Sequence, residues 1–137
     1  MRSNATTAWD YLDGCVFIAH RRGPLVDADF GDFLTDMLRQ RDVHRVLVRG
    51  SEGAPGPHHR AALLRWYKEN SVRGAVLTDS LLTRGGVTAL GWFGVNIRAF
   101  GHHELESAFD YVEIPLEHRF EARTMLQRVI AQADAIR

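Results

Sequence analysis

The chain has 137 residues, 45% of them hydrophobic and 25% charged. That is the balance of one globular domain able to bury a core, so a single domain over residues 1–137 is expected. Seventeen Lys and Arg cancel seventeen Asp and Glu, without long runs of one sign, which argues against nucleic acid or an anionic membrane surface as a partner.

"AWDYLDGCVFIAHR" holds two short apolar runs around Asp13-Gly14, a dipeptide suited to the positive φ angles of a tight hairpin turn. Strands are expected at about 7–12 and 14–20. Phe30, Phe33, Leu34, Met37 and Leu38 follow the helical period, with Asp27 or Asp29 placed to cap the helix. "VHRVLVRG" then reads as a strand, and Pro57 opens a helix through "HHRAALLRWYKEN". "VRGAVLTD" repeats the strand pattern and leads into "SLLTRGGVTALGWFG", capped by Asp79 or Ser80. "NIRAF" is the third strand of this kind, followed by the helix "HHELESAFDYV". Pro115 opens the last helix, where Phe120, Ala122, Met125, Leu126, Val129, Ile130, Ala133 and Ile136 form one stripe. That stripe is expected to fold back on the chain's own sheet.

The order is ββαβαβαβα with one extra helix. It predicts an α/β fold whose sheet is mostly parallel, with an antiparallel N-terminal hairpin and a C-terminal helix. No repeat, low-complexity tract or linker interrupts it. The lone cysteine, Cys15, lies in an apolar run and excludes an internal disulfide or a multi-cysteine zinc site. No apolar stretch approaches the ~18 residues of a bilayer span, and "MRSNATTAWD" lacks a signal core, so a cytoplasmic location without membrane insertion is expected.

The "VLVRG" strand with its Gly-rich loop, the helix containing "HHRAALLRWY", the strand "GAVLTDS" and the segment "RGGVTALGWFGVNIRAF" together resemble one family. It is the small bacterial proteins of the STAS superfamily, the sulfate-transporter and anti-sigma-factor-antagonist fold, in the branch described as STAS-like or SEC14-like. The similarity covers roughly residues 8–113. It implies a non-enzymatic protein-interaction or regulatory domain with a protein partner. The SEC14-like label suggests an alternative, a module that binds a small hydrophobic or lipid ligand. An uncharacterised enzyme is the third reading.

The loop "RGSEGAPGPHHR" between strand and helix is a candidate phosphate cradle. A nucleotide-binding loop needs Lys-Ser or Lys-Thr after its glycines, whereas Gly50, Gly53 and Gly56 here lead into His58, His59 and Arg60. Anion binding at the helix N-terminus remains open, with His58 and Arg60 adding charge, but a solvated connection is expected first. In the anti-sigma-factor antagonists a Ser or Thr in a "D-S-x-G" type motif is phosphorylated. Ser51 is the nearest hydroxyl here, yet it precedes Glu52 instead of following Asp, and a proline-containing stretch separates it from the helix. It is a doubtful phosphosite.

His58-His59 and His102-His103 are adjacent pairs whose members diverge on a helix, unlike the i, i+4 spacing of a ligand set, so no metal is expected. Ser80, Asp79 and the histidines lack a nucleophile elbow, and Asp79-Ser80 reads as a helix cap, so no catalytic residue and no cofactor are expected. Gly85 and Gly86 call for an account, because each glycine in a helix costs up to ~1 kcal/mol relative to alanine. A close backbone approach, a ligand, or a helix starting only at Val87 would each supply one. Together with Arg84 and the loop bearing Ser51, Gly53 and Gly56, they form a candidate partner surface at the C-terminal ends of the strands. Trp66, Tyr67, Trp92 and Phe93 are expected in the core. An apolar pocket on the order of several hundred cubic ångströms with convergent polar groups would favour the small-ligand alternative; a filled core would favour the protein partner.

Overall fold

The computed structural model describes residues 1–136. Six strands, β1 (Arg2–Ser3), β2 (Thr7–Leu12), β3 (Cys15–His20), β4 (Arg45–Arg49), β5 (Arg73–Leu77) and β6 (Asn96–Phe100), form one sheet in sequence order. β1 to β3 are antiparallel neighbours, and β3 to β6 run parallel. The α/β class and the antiparallel hairpin are therefore as expected. The hairpin turns where φ is +49° at Asp13 and +77° at Gly14, both in the left-handed region that such a turn requires. β1 is an addition that the sequence did not suggest, since two residues carry no periodicity.

Helices α1 (Asp27–Leu38), α2 (Pro57–Glu69) and α3 (Leu81–Gly91) connect the parallel strands. Consecutive right-handed crossovers in an unreversed strand order place all three on one face. The opposite face is covered by α4 (Leu105–Tyr111) and α5 (Arg119–Ala135). Strand alternation feeds two cores. Cys15, Phe17, Ala19, Leu47, Ala75 and Leu77 meet α4 and α5, while Val16, Ile18 and Val46 meet Phe30, Phe33, Met37, Trp66 and Tyr67. At the starts of β4 and β5, Arg45 and Arg73 donate through Nε to the carbonyls of Val112 (2.9 Å) and Tyr111 (2.6 Å). These bonds satisfy acceptors at the α4 C-terminus, where carbonyls lack helical partners.

α5 folds back as expected, burying Ala122, Leu126, Val129 and Ala133. Two members of the expected stripe do not belong to it. Phe120 is exposed because it precedes Ala122 by two residues, about 200° around the helix, and Ile136 follows the helix end in extended backbone. The expected α1 cap is also corrected. The helix begins at Asp27 itself, and its N-cap residue, Val26, makes no side-chain capping bond. At α3 the expectation holds: Ser80 Oγ accepts from Thr83 N at 3.3 Å.

Candidate functional site

β4 ends in Arg49 and is followed by Gly50-Ser51. Leu77, at the end of β5, accepts the Gly50 N–H at 3.0 Å. A side chain at Gly50 would press on Val76 Cγ1 at 3.2 Å, so this glycine lets α3 and the strand ends approach. Loop residues then pair with the segment after β3: Leu25 N donates to Glu52 O and Glu52 N to Gly23 O, both at 2.9 Å. Between this paired rim, the sheet and α1 to α3 lies a cavity of about 550 Å³.

Its floor is Ile18, Val46, Val48, Val76 and Ile97, and its walls include Phe30, Phe33, Leu63, Val87 and Leu90. Gly53, Ala54, Leu81, Leu82 and Gly85 are exposed members of the lining and form its mouth. Among the described residues, none of the lining is Lys, Arg, Asp or Glu. Its polar side chains are His20, Ser51, Tyr67 and Thr83, with Tyr67 packed over Gly74, where no Cβ would fit beneath its hydroxyl. His20 is 6% exposed, stacks on Phe30 with ring centroids 6.0 Å apart, and places Nδ1 3.1 Å from Thr7 Oγ1. Burial, with the Arg49 charge adding to it, pushes its pKa down to about 4, so the ring is neutral at pH 7.

Gly85 and Gly86 border this cavity. α3 runs through both, so the helix does not start late at Val87, and a Cβ at either would meet nothing within 4 Å. Close backbone approach is thereby removed as their explanation. Gly86 lies on the face that carries Thr83, Val87 and Leu90, so its missing side chain is missing from the cavity wall. Trp66 and Tyr67 are buried as expected, but Trp92 and Phe93 are 82% and 62% exposed. α3 ends at Gly91 and the chain turns at Gly94 (φ +83°), so neither ring continues the helix's inward face.

The expected loop surface is divided. Ser51 is 8% exposed, and its carbonyl accepts from Thr83 Oγ1 at 2.9 Å, so it is cavity lining instead of an open loop hydroxyl. Gly53 is at the mouth with φ +98°. At the α2 N-terminus, Gly56 N donates to Asp27 Oδ1 at 2.6 Å, and His59 Nδ1 lies 3.0 Å from the same oxygen. These bonds, that from Gly56 first, hold Asp27 below its ordinary pKa. The carboxylate at this helix end is thus the protein's own. His58 and Arg60 are in the first turn of α2, outside the cavity lining. Arg84 faces Glu104 at 3.7 Å.

Asp79 and His102 approach to 3.8 Å, while Ser80 Oγ serves the α3 cap, so these three carry helix and loop contacts. Among the described residues no three His, Cys, Asp or Glu side chains cluster as a metal site would need, and no helix is long and apolar enough to cross a membrane. Sequence reasoning missed His20, whose only signal was a polar residue closing an otherwise apolar strand. No family model and no curated protein matches the sequence.

Proposed function

We propose that the chain is a STAS-like, SEC14-like binding module whose ligand is a small apolar molecule held between the sheet and α3. The observation that carries this is the apolar cavity of about 550 Å³ with His20, Ser51 and Thr83 in its lining. Its volume is within the ~300–1,000 Å³ of small-molecule sites, and its mix of apolar wall and few polar groups is theirs. Gly85 and Gly86 support the same assignment, since they lower helix propensity and what they leave behind is open wall. The module binds without catalysis. A cytoplasmic location accompanies it, in keeping with a free, buried Cys15 whose thiol burial holds protonated.

Titrating the purified chain with an environment-sensitive apolar naphthalene dye tests the proposal. Saturable one-to-one binding that is lost in Gly86→Leu is expected. Dye binding that is absent, unsaturable or indifferent to Gly86→Leu overturns it.

A protein partner is the second reading, and one observation favours it. Leu81, Leu82, Trp92 and Phe93 are all exposed, at the two ends of α3. Co-purification from the native host should then yield a partner that Trp92→Ser and Phe93→Ser release; recovery unchanged by these substitutions overturns it.

A further inference from the structure

Three polar side chains in the cavity lining are more than nine-tenths buried and carry a hydrogen-bonding atom with no partner among the described residues: His20, Ser51 and Tyr67. Among the described residues Arg49 Nε is the one fully buried side-chain nitrogen or oxygen without a partner, so these three atoms keep access from the cavity that their residues line, where a ligand can meet them. His20 is fixed on one side by Thr7 Oγ1 at its Nδ1 and on its ring face by Phe30, which leaves Nε2 unpaired. Ser51 uses its carbonyl to receive Thr83 Oγ1, and its own Oγ has no partner.

The two residues lie at the same end of the sheet, and both line the cavity. Ala19 pairs with Arg49 across β3 and β4, so His20 lies beside Gly50, and Ser51 is one residue further. Tyr67 stands apart, over Gly74, which pairs with Val46. That is four residues back along the strand from Gly50, or about 13 Å. The cavity therefore has a doubly polar end at the strand C-termini and a single hydroxyl near the strand starts, with hydrocarbon between.

Resting on the ligand-binding role proposed above, we infer that the ligand is an uncharged amphiphile, an apolar body with a hydroxyl or carbonyl head hydrogen-bonded by His20 Nε2 and Ser51 Oγ. A carboxylate or phosphate head would be desolvated against a lining that holds no cation. Arg49, on the neighbouring strand, points to the other face, where its terminal nitrogens bind Asp134 at 2.7 and 3.1 Å and the His20 carbonyl at 2.7 Å. A plain hydrocarbon would leave Nε2 and Oγ unmade. An uncharged head meets both conditions, and the neutral imidazole set by burial suits it.

The test is displacement of the naphthalene dye at pH 7.5 by three probes of one chain length: 1-octanol, 1-chlorooctane and octanoate. In the wild-type chain 1-octanol should displace the dye at least tenfold more effectively than octanoate. Ser51→Ala and His20→Phe should each lower the preference for 1-octanol over 1-chlorooctane at least fivefold, the loss expected of a buried hydrogen bond. His20→Gln, which keeps a polar group near Nε2, should restore part of it. If His20→Phe fails to fold, Ser51→Ala and Thr7→Val, which frees the ring, carry the comparison. An unchanged octanol preference in these variants overturns the head-group assignment while leaving the ligand-binding role intact, and so does tighter binding of octanoate. Failure of the wild-type chain to bind the dye removes the role itself.

Discussion

Facing α4 and α5, the apolar residues of β3 to β5 are covered. Phe17, Leu47 and Ala75 are buried there against Phe109, Leu126 and Val129. Facing α1 to α3, the intervening residues of the same strands, Ile18, Val46, Val48 and Val76, border unfilled volume. The difference lies in how small residues are used. Ala122 and Ala133 on α5 are buried, and small side chains on a packed face allow close approach to the sheet. Gly86 on α3 is small where nothing approaches. The small residues of α5 close one face and Gly86 of α3 opens the other, so a count of small residues along a helix says little until their neighbours are known.

The largest effect should come from breaking the closed face. Leu126→Asp sets a carboxylate among apolar side chains and should cost about 4 kcal/mol or more, a large part of the ~5–15 kcal/mol that holds a domain together. Urea unfolding measures it, with sizing alongside; an unchanged midpoint with a lost oligomer would instead make the α5 stripe an interface.

On the open face, pH gives the next largest effect. His20 has its pKa held down to about 4 against an ordinary 6.5, so below pH 6.5 the unfolded chain takes up a proton that the folded chain refuses. Stability is therefore undiminished above that pH and falls as pH drops through this window, by about 3 kcal/mol in all, levelling near pH 4. Asp134, which Arg49 hydrogen-bonds and holds below its ordinary value, adds its own loss only at lower pH. His20→Gln should flatten the curve between pH 6.5 and 4.5; a slope that survives the substitution would assign the effect to other groups.

Gly86→Leu sharpens the contrast from the other side. It should raise stability by roughly 0.5–1 kcal/mol through helix propensity while blocking the cavity, so the melting temperature rises as dye binding falls. A lower melting temperature would mean that the wall is already full. Smallest of all, Ser51→Ala should shift stability by no more than about 0.5 kcal/mol, because its bonded group is the main-chain carbonyl, which alanine keeps. Mass spectrometry of protein from its native cells should find Ser51 unphosphorylated, in keeping with its burial.

The helices and the parallel strands were legible because their side-chain periods differ, 3.6 against 2, and because Pro57, Ser80 and Asp13-Gly14 punctuate them with specific backbone chemistry. The cavity was not, since it consists of atoms that are missing. Its one trace was Gly85-Gly86, for which tight packing, a late start and a ligand all remained open. Trp92 and Phe93 misled for a related reason: large aromatic residues next to an apolar helix read as core, yet Gly91 and Gly94 turn them outward. His20 was hidden by its strand, whose other five residues are apolar.

The unreversed strand order also has a consequence for synthesis. Each parallel strand docks beside the one made just before it, so the sheet can grow from its first hairpin as the chain emerges, each strand pairing with residues 23 to 30 positions earlier. The cover for β2 and β3 on the other face is different: it is α5, which follows every strand of the sheet. Ala8, Cys15, Phe17 and Ala19 are made about a hundred residues before Ala122, Leu126, Val129 and Ala133, their permanent neighbours. Until residues 119–135 emerge, the nascent chain therefore carries a sticky, half-clad sheet, and a ribosome stalled before residue 119 would present the quality-control machinery with a sheet that lacks its α5 cover.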